Sequence, residues 1–146
     1  MKVQQQNLRP NANNSTFKGL NALVVEDDMG GMAIIGVMMR YLGINAFINT
    51  TGNGVLEMAS ALPEKPDIIF LDINLPQTTG YEILKKLRSH PNFADVTIVA
   101  VTAQDADTEI PKAKEAGFNA YISKPISRMR FPKQLRRILN GEDVWG

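Results

Sequence analysis

Acidic side chains stand at the ends of short apolar runs in this chain, and they are the residues with chemistry to offer. Ile68-Ile69-Phe70-Leu71 leads directly into Asp72, and Ala22-Leu23-Val24-Val25 leads into Glu26, Asp27 and Asp28. A hydroxyl, Thr102, and an ammonium, Lys124, end two further β-prone runs. If these runs are strands of one open α/β sheet, their carboxyl ends face a crevice and not the core, so all five groups (Glu26, Asp27, Asp72, Thr102, Lys124) converge there. Carboxylates crowded together repel, and they need either raised pKa values or a bound cation; an all-oxygen donor set suits magnesium. A hydroxyl and an ammonium beside them are groups that bind phosphoryl oxygens. The pattern is one for phosphoryl transfer onto a carboxylate, with Asp72 the first candidate.

The elements that must hold these groups are legible from periodicity. Four apolar residues closed by Pro76 are too short for a solitary buried helix and read as a strand covered on both faces. Residues 44–49, 96–101 and 120–123 read as three more strands. Between them Ile35, Met38, Met39 and Leu42 recur at helical spacing over residues 29–42, with Asp28 as N-cap and Gly43 as C-terminal cap. Val55, Met58, Ala59 and Leu62 mark a second helix, Tyr81, Ile83, Leu84 and Leu87 a third, and Phe131, Leu135, Ile138 and Leu139 a last one. The helix over residues 107–116 carries Pro111 inside it, where proline costs about 3 kcal/mol, so it is expected to start late or kink. Five strands alternating with five helices predict a doubly wound α/β fold with a parallel sheet and right-handed crossovers.

With 146 residues, 44% of them hydrophobic, the chain can bury the core of one domain, and a second is not expected. Residues 1–19, rich in Gln and Asn, read as a flexible polar tail, residues 20–140 as the domain and residues 141–146 as a C-terminal tail whose end frays. The absence of cysteine excludes disulfide scaffolds, thiolate metal sites and cysteine nucleophiles. A net charge of +1 gives no general pull toward nucleic acid or membrane. No apolar run approaches the roughly 20 residues of a membrane span and the first residues are polar, so the expected location is cytoplasmic.

The motifs together resemble the response-regulator receiver domains of two-component signalling, the chemotaxis-regulator family. Val24-Val25-Glu26-Asp27-Asp28 is similar to its acidic turn, and Asp72-Ile73-Asn74-Leu75-Pro76 with Gly80 to its phosphorylation loop. Val101-Thr102-Ala103 resembles its switch threonine, Lys124-Pro125 its lysine, and Tyr121 stands at its switch aromatic position. The resemblance runs from about Leu20 to Leu139 and implies the flavodoxin-like receiver fold. It implies that Asp72 accepts a phosphoryl group from a sensor histidine kinase or histidine phosphotransfer protein. Glu26, Asp27, Asp72 and the main-chain carbonyl of Asn74 would hold magnesium, with manganese as a substitute. Lys124 and Thr102 would engage the phosphoryl oxygens, Thr102 and Tyr121 would act as the switch, and Asn74 and Gln104 would tune dephosphorylation. The chain would then be a phosphoacceptor and not a separate enzyme, signalling as a binding switch for a downstream protein or as a phosphorelay shuttle. The Lys124-Pro125 bond is expected to be cis, with the lysine head within salt-bridge reach of Asp72.

Other readings are weaker on stated grounds. A dehalogenase-type phosphatase needs a second acid two residues after the nucleophile, and that position is Asn74. A flavodoxin-like nucleotide binder would meet repulsion from Glu26, Asp27 and Asp28 after the first strand. A phosphorylation-independent interaction module remains the alternative if Asp72 is inert. Tyr121 has an equal reading as a packed core residue. Arg128, Arg130, Lys133, Arg136 and Arg137 make the last helix basic, either as a solvated face or as a docking surface for an acidic partner; with no interleaved aromatics, nucleic acid is not an expected partner.

Overall fold

The computed structural model describes residues 17–146. Strands β1 (Asn21–Val25), β2 (Asn45–Asn49), β3 (Ile68–Asp72), β4 (Thr97–Thr102) and β5 (Ala120–Ser123) alternate with helices α1 (Met29–Tyr41), α2 (Val55–Ala61), α3 (Gly80–Arg88), α4 (Ala106–Ala116) and α5 (Phe131–Leu139). All strands pair in parallel in the order β2-β1-β3-β4-β5. The doubly wound α/β sheet expected from the alternation is therefore present. The order reverses between β1 and β3, which opens a crevice at their carboxyl ends.

Side-chain alternation divides the core into two layers. Ala22, Val24, Ile68, Phe70, Val99, Val101, Ala120 and Ile122 point to the side closed by α1 and α5, against Ile35, Met39, Leu42, Phe131 and Leu135. Leu23, Val25, Ile69, Leu71, Ile98, Ala100 and Tyr121 point to the side closed by α2, α3 and α4. Burial on both faces is why the central strands are unbroken apolar runs.

The caps follow local chemistry. Asp28 accepts from the Gly31 N–H at 2.7 Å and caps α1, as expected. Gly43 and Gly117 end their helices with φ of +78° and +110°, values that favour glycine. Three expectations need correction. Helix α4 does not start late: it runs from Ala106 through Pro111. Pro111 offers no N–H to the Asp107 carbonyl, but both residues lie on the exposed side, where water can serve that carbonyl. Residues 1–16 of the expected tail lie outside the described residues, yet Phe17 is fully buried against the α1 and α5 layer under the Arg136 guanidinium. The C-terminal residues do not fray: Val144 is buried and Trp145 bridges Tyr121 in parallel, adding a short segment outside β5.

Candidate functional site

Strand register alone assembles the site. Val25 pairs with Leu71, so the next residues, Glu26 and Asp72, come level at the sheet edge. Asp72 lies beside Val101, and Thr102 beside Ser123, which brings Thr102 and Lys124 to the same edge. Glu26, Asp27 and Asp72 each present a carboxylate oxygen within 4.8 Å of the others. Glu26 and Asp72 are buried, and Asp27 is exposed at the mouth.

Lys124 reaches between two of the acids. Its Nζ lies 2.7 Å from Glu26 Oε1, 2.9 Å from Glu26 Oε2 and 2.9 Å from Asp72 Oδ2. The reach to Asp72 is as expected; the double contact with Glu26 was not foreseen, because no local pattern links residues 98 positions apart. The Lys124-Pro125 bond is cis, as expected. Burial disfavours the charged lysine, but the hydrogen bonds and charges of Glu26 and Asp72 outweigh it and hold its pKa above the ordinary value. Burial pushes the Glu26 carboxyl up, with Asp72 adding repulsion, against the pull of Lys124 and the Asp28 N–H. One lysine against three carboxylates leaves the site an excess of negative charge. A hard divalent cation on oxygen donors relieves that excess, so these residues fit magnesium.

The loop after Asp72 is held close. The Asn74 N–H donates to Asp72 Oδ1 at 3.1 Å, and the Gly80 N–H donates to the Ile73 carbonyl at 2.8 Å. A Cβ on Gly80 would sit 2.6 Å from the Asp72 carbonyl oxygen, so this position requires glycine on grounds of space. Thr102 is fully buried, and its Oγ1 accepts from the Gln104 N–H at 3.3 Å. Tyr121 is also fully buried, with its hydroxyl 3.5 Å from the Gln104 carbonyl. The core reading of Tyr121 therefore describes its position, and its hydroxyl nevertheless ends against the segment that follows Thr102.

Sequence reasoning missed a third buried acid. Glu109, on α4, accepts a hydrogen bond from the Tyr81 hydroxyl on α3. Burial first, then the bond and charge of Glu109, raise the Tyr81 pKa beyond the ordinary tyrosine range, and Tyr121 is raised by burial and by Glu109 and Asp105. A glutamate in the first turn of a helix is so common that the sequence offers no signal for this pairing.

Comparison with known proteins agrees with this geometry. Residues 22–136 match the profile of the response regulator receiver domain, and the chain belongs to that family. It is 30% identical over 119 residues to the polar-differentiation response regulator DivK of Brucella anthropi, covering 82% of this chain and 95% of that protein. It is 32% identical over 125 residues to the probable transcriptional regulatory protein TcrX of Mycobacterium tuberculosis, covering 86% of this chain; it spans about half, 52%, of that relative. Among solved structures, the receiver domain of sensor histidine kinase PA1611 from Pseudomonas aeruginosa PAO1 superposes with a TM-score of 0.74 at 29% identity, covering 84% of this chain and 98% of that one. That structure holds a magnesium ion coordinated in its active-site cleft. Chemotaxis protein CheY4 of Vibrio cholerae shares the fold, with a TM-score of 0.74 at 22% identity over 82% of this chain and 98% of its own. This chain is thus a two-component receiver domain of the phosphorelay type. Among the described residues, no helix is long and apolar enough to cross a membrane.

Proposed function

We propose that Asp72 is the phosphoacceptor of a response regulator, charged by a phosphohistidine on a sensor histidine kinase or a histidine phosphotransfer protein. A carboxylate oxygen of Asp72 attacks phosphorus as the P–N bond breaks, and the bonding pair leaves with the imidazole. Such in-line transfers need positioning and charge neutralisation more than a base. Magnesium, or manganese in its place, held by Glu26, Asp27, Asp72 and the main-chain carbonyl of Asn74, would supply that neutralisation when bound. The observation that carries the reading is Lys124 Nζ, which lies 2.9 Å from the acceptor carboxylate and also pairs with Glu26. It is placed to follow the negative charge onto the new acyl phosphate.

Thr102, buried one residue beyond the strand partner of Asp72, is in this reading the hydroxyl that closes on the phosphoryl group. Its inward movement would be felt by Tyr121 through the Gln104 segment that both touch. Asn74 and Gln104, both exposed beside the acceptor, would set how readily water reaches the acyl phosphate. A groove lined by Gly30, Gly31, Ile34, Ala103, Lys124, Pro125 and Ile126 begins at the rim of the site, with Met29 exposed nearby, and such a wall suits a protein donor. The phosphorylated form would signal by binding a downstream protein or by passing the phosphoryl group on, in the cytoplasm. The match over 95% of the length of DivK supports an output of that kind.

Acetyl phosphate with magnesium, followed by intact mass measurement, tests the reading. One phosphoryl group should add to the wild type and none to Asp72→Asn. A wild type that stays unmodified under conditions that charge another receiver would leave the phosphorylation-independent interaction module as the better description.

A further inference from the structure

Asn49, the last residue of β2, is buried and joins two parts of the molecule. Its main-chain carbonyl accepts from the Glu26 N–H at 3.0 Å, at the acidic turn. Its side chain organises the turn into α2. Oδ1 accepts from the Gly52 N–H at 2.8 Å and the Thr51 N–H at 3.2 Å, while Nδ2 donates to the Asn53 carbonyl at 2.9 Å and to Met58 Sδ at 3.7 Å. Both N–H groups and both lone pairs of the amide are engaged, and a buried amide satisfied in this way rigidifies what it holds. The turn in turn rests on the loop that follows Asp72. A Cβ on Gly52 would lie 2.9 Å from Leu75 Cδ1 and 3.1 Å from Thr78 Cγ2, and Asn53 Nδ2 donates to Gln77 Oε1 at 3.1 Å. That loop is tied at its two ends by the antiparallel bridge of Asn74 with Thr79 and by the Gly80 N–H on the Ile73 carbonyl.

We infer that Asn49 and Gly52 are positioning residues for magnesium. The turn over residues 49–54 sets where the 73–79 loop stands, and with it where the Asn74 carbonyl falls against Glu26 and Asp72. The inference rests on the metal role proposed above for Asn74, and both residues act through the loop. In the sheet β1 separates β2 from β3, so no strand pairing fixes the turn against the loop, and the side-chain contacts must do so. Glycine at position 52 is required twice, by a φ of +85° and by the space that Leu75 and Thr78 leave. Gly54 provides the contrast: its φ is +64°, but a Cβ there would meet nothing closer than Glu57 Oε1 at 3.9 Å. Backbone strain and pressure on the loop are thus separable two residues apart.

Calorimetric titration of the metal-free chain with magnesium, without a phosphodonor, tests this. Gly52→Ala should weaken binding about tenfold or more, the usual effect of removing support from a metal ligand. In the metal-free protein the same variant should speed the exchange of the Asn74 and Gly80 amides with deuterated solvent, read by NMR. Gly54→Ala should lower the melting temperature yet bind magnesium as the wild type does. Adding Leu75→Ala to Gly52→Ala makes room for the methyl group and should recover most of the affinity. Wild-type affinity in a natively folded Gly52→Ala chain, an equal loss in Gly54→Ala, or no recovery with Leu75→Ala overturns the inference, as does a wild type that binds no magnesium. If Gly52→Ala does not fold, Asn49→Asp takes its place: it keeps the acceptor for Thr51 and Gly52 but sets an oxygen against the Asn53 carbonyl, and unchanged magnesium affinity in it overturns the inference. Because no phosphodonor is present, magnesium binding in the expected pattern supports the inference even where acetyl phosphate leaves Asp72 unmodified, so the two readings fail separately.

Discussion

Two buried glutamates, Glu26 and Glu109, show how burial of the same side chain serves different ends. Glu109 is one acid held by the Tyr81 hydroxyl, a neutral donor, and that hydrogen bond ties α3 to α4. Glu26 shares its space with Asp72, Asp27 and Lys124, and three acids against one lysine leave a charge that the fold does not balance. The first arrangement sets a single acid against a single hydrogen bond, with no second acid crowded against it among the described residues. The second is stable only at a cost that a cation or a phosphoryl exchange can change, which is what a responsive site requires.

The largest effect should come from removing Lys124, the cation that the described residues bring to the acidic site. Lys124→Met leaves Glu26 and Asp72 side by side without it. Breaking a buried pair costs about 3–5 kcal/mol, and the partial exposure of the lysine reduces the expected loss to about 2–3 kcal/mol near neutral pH without metal. The loss should shrink in acid, because the Glu26 pKa lies above its ordinary value of 4.5 and its proton removes one of the repelling charges. Denaturant midpoints at neutral and acid pH measure this, and an unchanged midpoint would mean that the lysine is not holding the acids.

Magnesium acts on the same imbalance. At a hundredfold excess over Kd it should stabilise the wild type by about 2.7 kcal/mol, since it binds only the folded site. Asp27→Asn should raise stability without metal by about 0.5–1 kcal/mol, as one exposed repelling charge is lost, and should weaken the magnesium response. Thermal melts with and without magnesium read both effects; identical shifts in the two proteins would mean that Asp27 is no ligand. Glu26 also sets a sign for pH. With its folded pKa raised, its contribution is full below 4.5 and is lost as pH rises through the folded value, so magnesium should matter most at the upper end of that window.

The pair of Tyr81 and Glu109 should respond least, and to different conditions. Tyr81→Phe removes the donor to Glu109 and should cost about 1–2 kcal/mol, unaffected by magnesium. Because the Tyr81 pKa is raised above 10.0, its contribution is full below pH 10.0 and is lost as pH rises through the folded value. Wild type should therefore lose stability in alkali faster than Tyr81→Phe. A magnesium-dependent change in the variant would break the distinction between the two glutamates.

Much of this molecule is determined by sequence alone. Short unbroken apolar runs read as strands covered on both faces, and a polar residue that ends such a run emerges at the strand end, so Glu26, Asp72, Thr102 and Lys124 belong at the sheet edge on sequence grounds alone. Asp28 as a cap and Gly43 as a helix terminator follow from equally local chemistry. Phe17, Val144 and Trp145 were read as tail because their neighbours are polar and no period runs through them. Their burial depends on surfaces that exist only after β5, α4 and α5 have packed. The same holds for Lys124 on Glu26 and for Tyr81 on Glu109, pairs 98 and 28 residues apart. Periodicity records which face of an element is apolar; the partner that covers an edge or shares a charge is decided by the packing of whole elements, because contact energies between distant residues leave no repeating trace along the chain.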